Sequence, residues 1–523
     1  DDSIMPQTRE HLEILQLLGI PSGLIAVTKT DLVDPGWLDL VEDELRQFVH
    51  GTFLENAPIV RASAVTGQGI AELKAALEDL VSKAPNRDDL GPFRMAIDRV
   101  FSVSGHGTVV TGTVASGVVG VGAELELQPL QRSVRVRGVH RHDQPVELVR
   151  RGARAAINLT GVHHAEIHRG QVLASPGYLH PSRWFSAALT ASSDAPRPLR
   201  HRARYKIHLG TAETTAKLVL FEGNELTPGR EGLGQFLLSE PAVAVHGQPF
   251  IVREESPSLT LGGGRILQPT ARRVRRRDRA TISLISALAS TDPSLRIQAA
   301  LAEPGGQPGD PLGLVRDTGV PLARIAGFLD QLKAQGALSE VSMGPGKTLL
   351  VTHDYLEALE ERVLKTLGRL HASRPRQSWL VFRHLASALS DLDNDALVQL
   401  VLTRLKDRGL VRFDGVKSIA LANHQPQLSQ GERKLKVELR EAIAAGGFSP
   451  PEAPELAQLA KARSNIVPEL LELLVEEEQV VRISPQLYLS SESAARLRQL
   501  VVHALTGGKS MTMAELRDLL GTT

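Results

Sequence analysis

Leu24-Ile25-Ala26-Val27-Thr28-Lys29-Thr30-Asp31 is the stretch on which the reading of this 523-residue chain turns. Its four apolar residues, too few for a helix, read as a short buried strand. The polar tetrapeptide after them sits just past a strand's carboxyl end, where open α/β sheets bind ligands. The pattern recurs downstream, where Ile59-Val60-Arg61-Ala62 runs into Ser63-Ala64-Val65-Thr66-Gly67, and Gly69 to Ser82 reads as a helix returning across the sheet. Ahead of the first strand, Leu12, Leu15, Leu17 and Leu18 precede Gly19, the pattern of an amphipathic helix closed by a C-terminal glycine. Residues 1–84 therefore read as the C-terminal part of an α/β nucleotide-binding domain.

The residue types at these strand ends select a base. A carboxylate at Asp31 can accept hydrogen bonds from both N1 and N2 of guanine, the Lys29 stem can pack on the ring face, and the Ala64 N–H can meet O6. Adenine would strand the carboxylate's acceptors, so the discrimination comes as much from the wrong base's penalty as from the bonds. A T-K-x-D tetrapeptide alone is a weak signal. The S-A-x-T-G element on the next strand and Pro6-Gln7-Thr8-Arg9-Glu10-His11-Leu12 ahead of it make a chance match improbable. No G-x-x-x-x-G-K-[ST] motif occurs, so the phosphate half of the site, with its Mg²⁺ ligands, is expected ahead of Asp1, and hydrolysis by this polypeptide alone is not expected.

Downstream the composition changes. Short β-branched runs alternate with glycine turns from Phe93 to Ala174, and again from Trp184 to Ile266, which predicts two small β-barrels over 91–175 and 180–268. Residues 269–281 form an arginine-rich linker, either solvated or paired with phosphates. Beyond it a repeat appears in which a helix, a turn and a β-pair succeed one another. Phe328–Lys333 with Gly336-Ala337-Leu338 parallels Val401–Lys406 with Gly409-Leu410-Val411, and Leu470–Leu474 with Val480–Ile483 gives a third copy. These predict winged helices at 282–352, 354–423 and 427–490. A fourth, at 492–523, opens on the capping box Thr512-Met513-Ala514-Glu515 with apolar Leu516, Leu519 and Leu520 and is cut short. The third copy carries Glu469, Glu472, Glu476, Glu477 and Glu478, an acidic face expected to repel phosphate.

Composition bounds the class. The chain is 42% hydrophobic and 23% charged, with no stretch approaching the ~18 continuous apolar residues of a membrane span. It has no cysteine, which excludes disulfides, thiolate metal sites and cysteine nucleophiles and fits the cytoplasm. Sixty basic against 59 acidic residues leave a net charge of +1, so any nucleic-acid contact must come from local patches. The opening residues lack the basic head and apolar core of a signal peptide and read as the middle of a domain.

These motifs carry a family resemblance. Met5 to Leu12 resembles the segment after the switch region of translational GTPases. Thr28-Lys29-Thr30-Asp31 and Ser63-Ala64 resemble their two guanine-recognition motifs, with Thr28 in place of the more usual asparagine, as in the selenocysteine-specific branch. Asp98-Arg99-Val100-Phe101 with Gly105 to Gly112 resembles the opening of the second domain of EF-Tu-type factors, and Phe250–Arg253 with Thr260–Gly264 the end of the third. With tandem winged helices added, the chain resembles the bacterial selenocysteine-specific elongation factors (the SelB family). The implied fold is a partial α/β P-loop-type G domain, two EF-Tu-like barrels and tandem winged helices.

The resemblance also implies GTP or GDP with Mg²⁺ as cofactors, and selenocysteinyl-tRNA, the ribosome and an mRNA hairpin as partners, the hairpin being held by the last winged helix. A cytoplasmic monomer without membrane contact is implied as well. Guanine contacts fall on Thr28, Lys29, Asp31, Ser63 and Ala64, and a basic aminoacyl pocket falls on Asp98, Arg99 and Arg154. Low local dielectric would let such arginines favour an ionised selenol over the hydroxyl of serine. An Asp-Arg pair on a barrel strand is equally at home as a plain ion pair, and His106 and His140 read as loop histidines. The rival readings are a general translational GTPase with a helical appendage and a nucleotide-independent RNA-binding scaffold.

Overall fold

The computed structural model describes residues 4–84, 91–103, 107–255, 259–302, 310–342, 348–392, 395–414 and 417–506, with Thr512, Glu515 and Arg517. The chain divides into two compact units, Asp1–His353 and Asp354–Thr523.

The first unit opens with α1 (Pro6–Leu18), which starts on a proline whose missing N–H costs nothing there. It ends at Gly19, whose left-handed backbone donates back to the last turn. Strand β1 (Ile25–Val27), α2 (Pro35–Val49), β2 (Ile59–Arg61) and α3 (Ile70–Lys83) follow, with β1 and β2 paired in parallel. Parallel pairing brings both carboxyl ends to one edge, which sets Thr28–Asp31 beside Ser63-Ala64.

The first barrel comprises β3 (Arg94–Val103), β4 (Gly107–Ser116), β5 (Val118–Gly120), β6 (Glu124–Gln128), β7 (Arg132–Arg141), β8 (Gln144–Val146), β9 (Leu148–Arg150), β10 (Arg154–Thr160) and β11 (Val172–Ala174). The order β10-β4-β3-β11-β6-β7 closes through a β10–β7 pairing. Burial alternates along β4, so Val110 and Val114 join Met95, Ile97, Leu127 and Ile157 inside while the intervening residues face outward.

The second barrel comprises β12 (Ser182–Ala191), β13 (Leu199–Arg200), β14 (Arg204–Leu209), β15 (Ala212–Leu220), β16 (Glu225–Leu226), β17 (Glu231–Ala242), β18 (Pro249–Arg253) and β19 (Thr260–Gln268). It closes in the order β12-β17-β15-β14-β18-β19 around Phe185, Phe236 and Phe250. The rings of Phe236 and Phe250 meet edge to face at 5.4 Å, the arrangement their quadrupoles favour. Helix α1 lies on this barrel. Glu10 accepts from Arg253 at 2.5 Å and from Thr260 at 3.1 Å, and a side chain at Gly263 would stand 3.3 Å from the Leu17 Cβ and 2.6 Å from the Phe250 carbonyl oxygen.

The arginine-rich segment after β19 is fixed to the barrel. Gln235 donates to the Arg272 carbonyl at 2.7 Å and accepts from the Val274 N–H at 2.9 Å, while Arg276 bonds the Phe221 and Gly223 carbonyls. Arg272, Arg273, Arg275 and Arg277 remain exposed. Helices α4 (Arg279–Ala287), α5 (Pro293–Leu301), α6 (Pro311–Thr318) and α7 (Leu322–Ala334), with the hairpin β20 (Leu338–Ser342) and β21 (Thr348–Thr352), form the first helical unit. It shares one core with the barrels: Ile297, Leu301, Leu314 and Val320 pack with Val172, Tyr178, Leu179 and Val243.

The second unit repeats the pattern twice. One copy runs α8 (His353–Ser373), β22 (Leu380–Val381), α9 (Phe382–Ala388), α10 (Asp395–Asp407), β23 (Val411–Phe413) and β24 (Ser418–Leu421). The next runs α11 (Gln430–Ala445), α12 (Ala453–Leu459), α13 (Val467–Glu476), β25 (Val480–Arg482) and β26 (Tyr488–Ser490), and α14 (Ser491–Leu505) follows. The acidic face read from the sequence is partly neutralised, because Glu469 meets Arg376, Glu472 meets Arg482 and Glu477 meets Lys436. At the chain's end the Thr512–Glu515 capping box forms, with Thr512 N–H donating to Glu515 at 2.8 Å and the Glu515 N–H donating back at 3.3 Å. Leu516, Leu519 and Leu520 lie outside the described residues.

Candidate functional site

At the first strand edge Ser63 is the hub. Fully buried, its hydroxyl donates to the Asp31 carboxylate at 2.5 Å and accepts from the Val65 and Thr66 N–H groups at 3.2 Å each. One Asp31 oxygen is thereby fixed while the exposed carboxylate keeps acceptor capacity for a ligand. Lys29 stands in the left-handed region at φ 58°, a conformation costing a non-glycine residue about 1 kcal/mol or more, and its side chain is exposed beside Thr28. The Ala64 N–H has no acceptor among the described residues. The five residues named from the sequence are thus brought together with distinct parts: Thr28, Lys29, Asp31 and Ala64 face outward, and Ser63 orients Asp31 from beneath.

On the first barrel a β-bulge builds the second site. Ile97 pairs with Gly112 and Arg99 with Thr111, so Asp98 is the extra residue between them. A bulge re-aims side chains. Ile97 points into the core while both Asp98 and Arg99 reach the outer wall, which strict alternation would forbid. Arg154, 56 positions away, grips Asp98 with both Nη atoms, at 2.5 and 3.0 Å, and the Thr111 hydroxyl adds a bond at 2.9 Å. The Arg154 guanidinium, aided by Thr111 and Arg99, holds the Asp98 carboxyl below the usual carboxylate range. Arg154 is committed to Asp98, and Arg99 has no ion-pair partner among the described residues. His140 also belongs here: His140, Ala156, Thr111 and Arg99 stand opposite one another on β7, β10, β4 and β3 and so share a face. His106 lies outside the described residues.

The sequence reading missed a row on the second barrel. Trp184, Leu237, Lys217 and Arg204 are mutually opposed across β12, β17, β15 and β14 on the outer wall. Lys217 directly faces Arg204, a like-charge pairing that destabilises a sheet, and neither has a carboxylate partner among the described residues. Alternation along Arg204-Tyr205 and Ala216-Lys217-Leu218 shows that each cation faces outward, but not that they meet.

A parallel pair whose carboxyl ends gather Thr28–Asp31 and Ser63-Ala64, followed by two closed barrels, defines a translational GTPase of the elongation factor Tu type. Residues 1–83 match the elongation factor Tu GTP binding domain and residues 107–174 its domain 2. The chain belongs to the selenocysteine-specific elongation factors: residues 186–273 match the beta-barrel domain of that family, and the full chain aligns with the selenocysteine-specific elongation factor of Desulfomicrobium baculatum at 35% identity over 527 residues, 82% of that protein's length. The factor of the same name from Haemophilus influenzae is 32% identical over 290 residues, 55% of this chain and 45% of the relative. The crystal structure of a bacterial selenocysteine-specific elongation factor EF-Sec shares the fold with a TM-score of 0.61 at 24% identity, covering 100% of this chain and 80% of that one. No described helix is long and apolar enough to cross a membrane.

Proposed function

We propose that this factor binds selenocysteinyl-tRNA with its aminoacyl end against Asp98, Arg99 and Arg154, and delivers it in the cytoplasm, as a monomer, to ribosomes at UGA codons marked by an mRNA hairpin. The observation that carries this reading is the bulge that turns Asp98 and Arg99 outward together, beside Arg154. Arg99 supplies the uncommitted positive charge for a selenolate, and the Asp98–Arg154 pair fixes its surroundings. The opposed cations Lys217 and Arg204, with Trp184 in the same row, give the second barrel a phosphate-facing wall for the tRNA stem.

Guanine is read by Thr28, Lys29, Asp31 and Ala64, with Ser63 as the positioning residue; their exposed donors and acceptors fit the base. GTP, when bound, supplies the phosphoanhydride whose cleavage times release. Mg²⁺ belongs with its phosphates, so the residues named here are assigned the base alone. The last winged helix, opening at Thr512, is assigned the hairpin.

The test is binding of selenocysteinyl-tRNA and seryl-tRNA to wild type, Arg99→Ala and Arg154→Ala. Arg99→Ala loses about tenfold in affinity for the selenocysteinyl form, equivalent to ~1.4 kcal/mol, with seryl binding unchanged. Arg154→Ala loses more, because it leaves Asp98 as an unpaired anion facing the selenolate. Equal weakening of both aminoacyl forms would return the arginines to a structural ion pair.

A further inference from the structure

Between the two barrels lies a cleft of about 740 Å³, large enough for a small organic ligand. Its walls come from both barrels and include Arg94, Arg169, His208, Glu213 and Gln248. Arg94 begins β3, and its Nη1 crosses to the second barrel to donate to Gln248 Oε1 at 2.9 Å. That neutral acceptor is its sole hydrogen-bond partner among the described residues. Its Nε is sealed from solvent, and among the described residues it has no acceptor and no carboxylate acts on the guanidinium. The ionisable groups that act on it are the Tyr178 phenol and a second cation, Arg151, and burial lowers its pKa. Across the cleft, His208 carries a buried Nε2, also without a partner among the described residues. Glu213, the nearest carboxylate to His208, is committed to Lys206 at 2.8 Å.

A buried guanidinium with no counter-ion is costly, and the fold retains it facing a cavity. Gln248 occupies one Nη atom and Nε is sealed, which leaves the other Nη as the donor for a ligand. Its N–H groups carry the positive charge towards an oxyanion. Arg169 adds a second positive charge to the wall. We propose that the cleft between the barrels is a binding site for a small phosphorylated ligand, held by the free Nη of Arg94 together with Arg169.

Pyrophosphate serves as the probe, titrated calorimetrically into the whole chain at constant ionic strength against chloride, with citrate as the carboxylate arm. Wild type binds pyrophosphate, and more tightly than citrate. Arg94→Met weakens pyrophosphate binding tenfold or more. Gln248→Glu, which supplies Arg94 with an internal carboxylate and keeps the fold's volume, likewise abolishes the response and raises the ligand-free melting temperature. Pyrophosphate no better than chloride in wild type, undiminished binding in both variants, or tighter binding of citrate would each overturn the assignment.

Discussion

Glu360 on α8 is a buried charge of the second unit, and breaking its pairing has a cost that depends on which partner is taken away. The carboxylate's side chain is 5% exposed and receives Arg404 Nε at 2.8 Å and a second bond from Arg408, whose side chains are 39% and 58% exposed. Both arginines lie at the C-terminal end of α10 or just beyond it, so this triad ties α10 to α8. Breaking a buried pair by leaving one charge alone costs about 3–5 kcal/mol. Glu360→Gln leaves the arginines, which are already half in water and can turn outward, so its cost should be about 1–2 kcal/mol, near that of lost charge-assisted hydrogen bonds. The double variant Arg404→Ala/Arg408→Ala instead leaves the buried carboxylate unpaired and should cost the full ~3–5 kcal/mol. Adding Glu360→Gln to that double variant should recover most of the loss, because the stranded charge is gone. Denaturant unfolding of the four proteins, followed by circular dichroism at constant pH, measures the cycle. Equal costs for Glu360→Gln and the double arginine variant, or no recovery in the triple, would refute the argument that desolvation of the carboxylate dominates.

Ser63→Ala removes the acceptor of the Val65 and Thr66 N–H groups, each bond worth about 1 kcal/mol, so amide exchange at those two positions should accelerate about fivefold while the barrels stay unchanged. Unaltered exchange would show that the loop does not depend on the Ser63 hydroxyl. Gly263→Ala should cost about 1–3 kcal/mol by overpacking, because the new methyl meets the Phe250 carbonyl and Leu17, and α1 should exchange faster than β19; a silent substitution in both readouts would contradict the close approach. His371 accepts from the Leu421 N–H and stacks on His424, and burial, with His424 and Arg412 adding, pushes its pKa down to about 4. An unfolded histidine takes its proton near ~6.5, so this contribution is complete above that pH and is lost as pH falls toward about 4. His371→Gln should flatten the decline in stability between ~6.5 and ~5, before most carboxylates titrate, and an unchanged slope there would exclude the histidine as its source.

What the sequence determined by itself was everything carried by short-range pattern. The strand ends at Thr28–Asp31 and Ser63-Ala64, the two runs of β-branched strands, the repeated helix and β-pair, and the Thr512–Glu515 cap are each written within a few residues, since periodicity and capping are local. Tertiary structure decided which of those residues meet. Asp98 and Arg154 are far apart in the chain and join only because β3, β4 and β10 close into one wall. The one-residue bulge that turns Arg99 outward depends on pairing with β4, which no alternation pattern encodes. Lys217 and Arg204 became a like-charged pair through register, and the arginine-rich segment became part of the barrel because Gln235 had backbone groups to satisfy there. Arg94 was an ordinary strand residue in the sequence; only the second barrel's approach, which brings Gln248 and buries the guanidinium without a counter-ion, made it a site. Charge and register are non-local: a side chain's partner is set by the surface that folding brings to it, and the free energy of burying a charge exists only once that surface has formed.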